Sequence, residues 1–172
     1  MLKNFYPLVL ASLGLSLASL PANPEVKADT PAAPETEAPS PAAPTTATSS
    51  EALTSQAWDA YNLRDYPTAT SRAELCRKLY QAQAKEMQAK LTELPSGDAI
   101  KELWALNDVG TCTLILGMAA EGAGKNDQAE KYFTEVIKDY SFAQCWDSNG
   151  WYWQPSAAAQ EKLDALKFNA ME

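Results

Sequence analysis

LGMAAEGAGKNDQAEKYF, residues 116–133, is the stretch whose reading decides the fold. Leu116 and Gly117 are adjacent, Gly124 follows, and Ala129 and Phe133 come four residues apart beyond it. Small residues at these positions on two amphipathic segments let two helix backbones approach closely, and a neighbouring aromatic fills the space beside the crossing. Gly122 and Gly124 end the first helix, and Asn126 or Asp127 is expected to cap the second. Gly117 and Ala129 are expected to face each other where the two helices cross.

Helical periodicity extends outward in both directions. Upstream, Ala69, Ala73, Cys76, Tyr80, Ala84, Met87, Leu91 and Leu94 alternate spacings of three and four, as one face of a long helix does. Pro67 suits its first turn, and Pro95-Ser96-Gly97-Asp98 stops it. The segment 99–123 is apolar around much of its circumference, which places it centrally. Downstream, Ala129, Tyr132, Phe133, Val136, Ile137 and Tyr140 form a buried stripe, and Pro155 opens a last helix with Leu163 and Leu166 facing inward. No stretch alternates as a strand does, so an all-α domain is expected.

Two pairs of these helices resemble tetratricopeptide repeats. In the copy near 110–143, Leu116, Gly117, Gly124, Ala129 and Phe133 fall on the signature positions. Val136 replaces the usual small residue, and Ser141 stands where the family has its terminal proline. A weaker copy near 50–80 carries Ala57, Ala60, Asp65, Tyr66, Ala69, Ala73 and Cys76 but lacks the Leu-Gly pair. The resemblance implies antiparallel helix pairs stacked as a short right-handed superhelix, with the C-terminal helix as its cap. It also implies a partner-binding groove lined by the first helix of each pair: Trp58, Tyr61 and Asn62 from one, Leu114, Met118 and Glu121 from the other. Peptide-clamping members grip a terminal carboxylate with cations that this chain lacks, so that activity is not carried over.

A second candidate site lies between the last two helices. There Trp146, Asp147, Asn149, Trp151, Tyr152 and Trp153 crowd one turn-rich connection bent at Ser148-Asn149-Gly150. Aromatic faces beside polar groups suit sugar rings, the alternative being that the connection buries its own indoles. Alternating positions serve both if Trp151 and Trp153 point inward and Tyr152 outward.

The N-terminus sets the compartment. Lys3 precedes an almost wholly apolar run, 5–20, followed by small residues, the layout of a signal peptide covering 1–28. No cysteine follows the run to carry a lipid anchor. Residues 29–50 hold five prolines and no aromatic or large aliphatic side chain, as expected of a disordered linker. The folded domain is then 51–172, periplasmic or secreted, with no stable membrane insertion after cleavage.

Charge and composition exclude several functions. The chain carries 22 acidic against 14 basic residues and a net charge of −8, with no basic block, so nucleic acid is a poor partner. It has no histidine, which removes Ser-His and Cys-His nucleophile pairs and His-bearing zinc sites. The glycines form no phosphate loop, and no cofactor, metal site or catalytic residue is expected. Three cysteines in an oxidising compartment leave two alternatives open: a disulfide between Cys112 and Cys145, or three buried thiols. The expected function is an interaction or scaffold module for a protein or peptide of the cell envelope. Carbohydrate or peptidoglycan binding through 146–153 is the alternative.

Overall fold

The computed structural model describes residues 48–171, and the expected signal peptide and most of the linker lie outside them. The first helix, α1 (Ser50–Asn62), starts because Ser49 accepts a hydrogen bond from the Ala52 amide at 3.2 Å, with Glu51 favourably placed in the first turn. Ser50 is buried and donates to Asp108, and the Tyr80 hydroxyl reaches the Thr48 carbonyl at 2.9 Å. The folded part therefore begins before Glu51. Arg64, at φ 60°, turns the chain into α2 (Tyr66–Ala89), which Asp65 caps at the Thr68 amide.

Small residues set how close the first two helices come. Ala57 and Ala60 on α1, and Ala69, Ala73 and Ala84 on α2, are all buried. The expected stripe continues to Leu94, but α2 ends at Ala89. Lys90 and Leu91 close it with short-range bonds to Met87 and Gln88, Leu91 packs on the core from the coil, and Leu94 is exposed. Pro95 disfavours helix at Leu94, the last residue of the expected stripe.

The expected single helix over 99–123 is two. A one-turn helix, α3 (Ala99–Glu102), is separated at Leu103 from α4 (Trp104–Gly122). The Ile100 carbonyl accepts both the Leu103 amide at 3.2 Å and the Asn107 side-chain amide at 2.8 Å, so it bridges the break. From Val109 to Ala120 every residue of α4 is buried. The helix ends as the glycine pattern requires: Gly124 adopts φ +73°, its amide bonds the Glu121 carbonyl, and the Lys125 amide bonds that of Ala120.

Lys125, not Asn126 or Asp127, occupies the cap position of α5 (Asn126–Asp139), and no side chain bonds there. Ala129, Phe133 and Val136 are its buried face. In the tight approach to α4, the ring of Phe133 lies nearest Gly117, and a β-carbon at 117 would overlap that ring.

A strand pair, unexpected from the sequence, then interrupts the helices. β1 (Cys145–Asp147) runs antiparallel to β2 (Trp151–Trp153), pairing Cys145 with Trp153, Trp146 with Tyr152 and Asp147 with Trp151. Its three-residue turn is closed by the Gly150 amide on the Asp147 carbonyl, and the Asn149 amide bonds Asp147 Oδ1 at 2.8 Å. Pro155 opens α6 (Pro155–Asn169), where Leu163 is buried and Leu166 packs on the core.

The described residues are thus mostly helical with one small hairpin. α4 packs against α1 and α2 on one side and against α5 and α6 on the other. Polar side chains of α2 reach α5 and the chain after it. Arg77 pairs with Glu135 and lies over the Tyr132 ring, Gln81 meets the Tyr140 hydroxyl, and Gln88 meets Ser141. No helix among the described residues is long and apolar enough to cross a membrane.

Gly117→Ala is expected to destabilise the fold by about 1–3 kcal/mol, because Phe133 is fully buried and its ring cannot swing aside. Phe133→Leu should cost less in the Gly117→Ala background than in the wild type. Thermal denaturation of the four proteins measures this coupling, and strict additivity would show that the two residues do not meet.

Candidate functional site

Two helical stripes and a hairpin meet at one opening. On α1, Glu51, Thr54, Trp58 and Asn62 recur at spacings of three and four and so share a face. On α4, Trp104, Asp108 and Thr111 do the same, one turn apart. The hairpin forms the third wall with Trp146, Asp147, Tyr152 and Trp153. Together they enclose an open cleft of about 880 Å³.

Asn107 holds this arrangement in place. Its Nδ2 donates to the Ile100 carbonyl, and its Oδ1 accepts from the Gln144 amide at 2.9 Å, just before β1. The Gln144 side chain in turn donates to the Pro95 carbonyl at 2.7 Å. Thr111 is hydrogen-bonded to the Cys145 thiol and to the Asn107 carbonyl. The chain after α2, the start of α4 and the hairpin are thereby tied through one amide side chain.

The aromatic walls meet edge to face. Trp58 lies 6.4 Å from Trp153 and 5.9 Å from Tyr61, and Trp146 lies 4.9 Å from Tyr152, all steeply inclined. Trp104 packs edge-on to Tyr80 at 5.7 Å yet remains 41% exposed, and Trp146 is 60% exposed. Two large indoles thus stand open to solvent at the mouth of the cleft.

The expected groove is divided by the structure. Trp58 and Asn62 line the cleft. Tyr61 instead packs between Trp58 and Tyr66. Leu114 and Met118 are buried in the core, because α4 is covered on every side there, and cannot meet a partner. Glu121 is ion-paired to Lys162 of α6 at 2.9 Å, away from the cleft. Of the aromatic connection, Trp146, Asp147, Tyr152 and Trp153 line the cleft. Asn149 sits in the exposed turn, where it bonds Asp147. Trp151, expected to point inward, is 54% exposed and outside the cleft, since the strand register puts it beyond the last pair that packs on the helices.

The candidate Cys112–Cys145 disulfide is absent: Cys76, Cys112 and Cys145 are all free thiols. Thr111 and Cys112 are neighbours on a helix and point in different directions, so Cys145, held at Thr111, is turned away from Cys112. The Cys112 sulfur lies 3.2 Å from Thr54 Oγ1, with Cys76 beside the same hydroxyl. The adjacent Cys76 thiol and burial push Cys112 well above the usual thiol range, and burial pushes Cys145 up to about 12. Protonated, buried thiols are poor nucleophiles.

Asp108 is the most perturbed carboxyl facing the cleft. Burial pushes it up to about 6, against the opposing effect of the Ser50 hydrogen bond, and the charge of Glu51 adds to the rise. Sequence reading missed Asp108 and Trp104. Their spacing on one face of α4 was visible, but a helix apolar around its circumference gives no sign of which face stays uncovered. No protein-family model, curated protein or solved structure matches the chain.

Asp108 gives a pH dependence of defined sign. The folded carboxyl binds its proton more tightly than the unfolded one. Its contribution to stability is therefore fully present below about pH 4 and lost as pH rises through about 6. Asp108→Asn, neutral throughout, is expected to exceed the wild type by up to about 3 kcal/mol at pH 8 and to lose that advantage by pH 4. Thermal melts across this range test it; a difference independent of pH would remove the buried carboxylate as its cause.

Proposed function

We propose that this chain is an exported, non-catalytic binding module, periplasmic or secreted, built of helix pairs in the manner of tetratricopeptide repeats. Its cleft holds an extended segment of a protein partner in the cell envelope. The packing order supports the repeat reading: α1 with α2, then α4 with α5, each pair against the next, and α6 on the last pair. The one observation that carries the binding reading is the convergence of two aromatic sets far apart in sequence. Trp58 and Trp104 meet Trp146, Tyr152 and Trp153 around a single solvent-open cleft.

A folded core has no need of that arrangement. The indoles at 104 and 146 leave apolar area in water, which a ligand lying across them would bury. Backbone groups of an extended segment would meet Asn62 and Gln144, which also line the opening. Export is supported by the charged start, apolar run and small residues of 1–28, and the repeat motif at 116–133 supports a binding role over a chemical one.

Trp104→Ala is expected to weaken capture of the partner by about thirtyfold, the cost of losing a buried hot-spot aromatic. Trp151→Ala, outside the cleft, should leave capture unchanged. The measurement is affinity capture by the immobilised full chain from an envelope protein extract, beside purified peptidoglycan fragments. Loss of glycan binding, and of nothing else, in the Trp104→Ala protein would replace the protein partner with a carbohydrate.

A further inference from the structure

The cleft is acidic as well as aromatic. Three carboxylates line it, Glu51, Asp108 and Asp147, against one ammonium, Lys101. That ammonium is already committed, since Lys101 Nζ bonds Asp98 Oδ1 at 3.0 Å. The carboxylates are not matched in return. Asp108 Oδ2 accepts from Ser50, and Asp147 Oδ1 accepts both the backbone and side-chain N–H groups of Asn149. The second oxygen of each carboxylate has no hydrogen-bond partner among the described residues.

Aromatic rings line the same cleft. None of the paired rings is stacked: Trp58 with Trp153, Trp104 with Tyr80, and Trp146 with Tyr152 all meet edge to face. The negative faces of indoles attract cations, most strongly where water is excluded. Unmatched carboxylates and ring faces in one cavity thus favour the same kind of group, and they repel phosphates, uronates and a peptide's terminal carboxylate alike.

Resting on the reading of the cleft as a peptide site, we infer that the bound segment is recognised through a basic side chain, arginine or lysine, inserted between the indoles. Its positive charge is met by Asp108 and Asp147. A guanidinium suits the site well, because its plane lies on an indole while its edge donates to a carboxylate. The half-buried Asp108 gains a counter-charge that the free protein does not provide, so a cation stabilises it where an uncharged ligand of equal size does not.

The test uses the full chain and nine-residue peptides of alanine and proline with one central arginine, lysine, citrulline or glutamate. Binding is read from tryptophan emission. The arginine and lysine peptides are expected to bind about tenfold or more tighter than citrulline, with glutamate weakest, and the preference should shrink at high salt. Asp147→Asn and Asp108→Asn should each erode the preference for arginine over citrulline, while Trp104→Ala should weaken both peptides together. Equal binding of arginine and citrulline, abolished by Trp104→Ala, would overturn the cationic inference and leave the peptide cleft standing. Binding of none of the peptides, with capture of peptidoglycan fragments instead, would overturn both.

Discussion

The constraint on which this structure depends is the burial of α4 on all sides. A helix that is apolar around its circumference is stable only when neighbours cover it completely, since each exposed large aliphatic forfeits about 1.5–3 kcal/mol. Between Val109 and Ala120 this chain meets that demand with four helices, two from before α4 and two from after it. Glycine at 117 and alanines at 57, 69, 73 and 129 let those helices come close enough to bury the stretch. The polar ties between α2 and the chain from α5 onward, Arg77–Glu135 and Gln81–Tyr140 among them, then fix the register of elements that α4 has already brought together.

The same constraint locates the cleft. Coverage is complete over the middle of α4 and incomplete at its first two turns, where Trp104, Asn107 and Asp108 stand. The helix before it has broken at Leu103, and α1 passes alongside with the Glu51–Asn62 stripe. A further helix would cover that region in the usual way. The hairpin covers part of it instead, anchored by Gln144 on Asn107 and Cys145 on Thr111. What it leaves open keeps a carboxyl poorly solvated at Asp108 and two indoles in water. Sites that bind are commonly places where a fold leaves such costs unrelieved until a ligand arrives.

The helices were legible because their signals are local. Pro67 announces the start of α2, the Gly124 turn announces the end of α4, and the stripe from Ala129 to Tyr140 announces α5. The break at Leu103 was not legible, since it depends on Asn107 finding the Ile100 carbonyl and on the hairpin finding Asn107. The strands were hidden for a related reason. Each has three residues, too few for alternation to register, and the turn residues Ser148-Asn149-Gly150 were visible without the pairing they serve. Of the site, the aromatic residues of the hairpin and Trp58 could be picked out by type alone. Leu114 and Met118 were misplaced because the resemblance assigns a concave face by helix order, whereas burial is decided by which neighbours arrive.

The connection between α5 and α6 explains why residues from both candidate sites share one cleft. Connections between packed helices usually run about 2–8 residues, and a longer one must either find its own packing or carry function. This one does both along a single strand pair. Cys145 and Trp153, opposite each other in the register, turn toward Thr111 and Trp58 and anchor the hairpin to α4 and α1. Trp146 and Tyr152, the next pair, pack on each other and leave the Trp146 indole in solvent. Alternation along a strand separates an anchoring face from a presenting one, and an indole presented from a paired strand is held more rigidly than one on an open loop. A helix-to-helix turn of ordinary length could brace α6 but could not set an aromatic wall opposite Trp58 and Trp104. The inserted hairpin therefore makes the cleft, and α1 and α4 supply the face on which it closes.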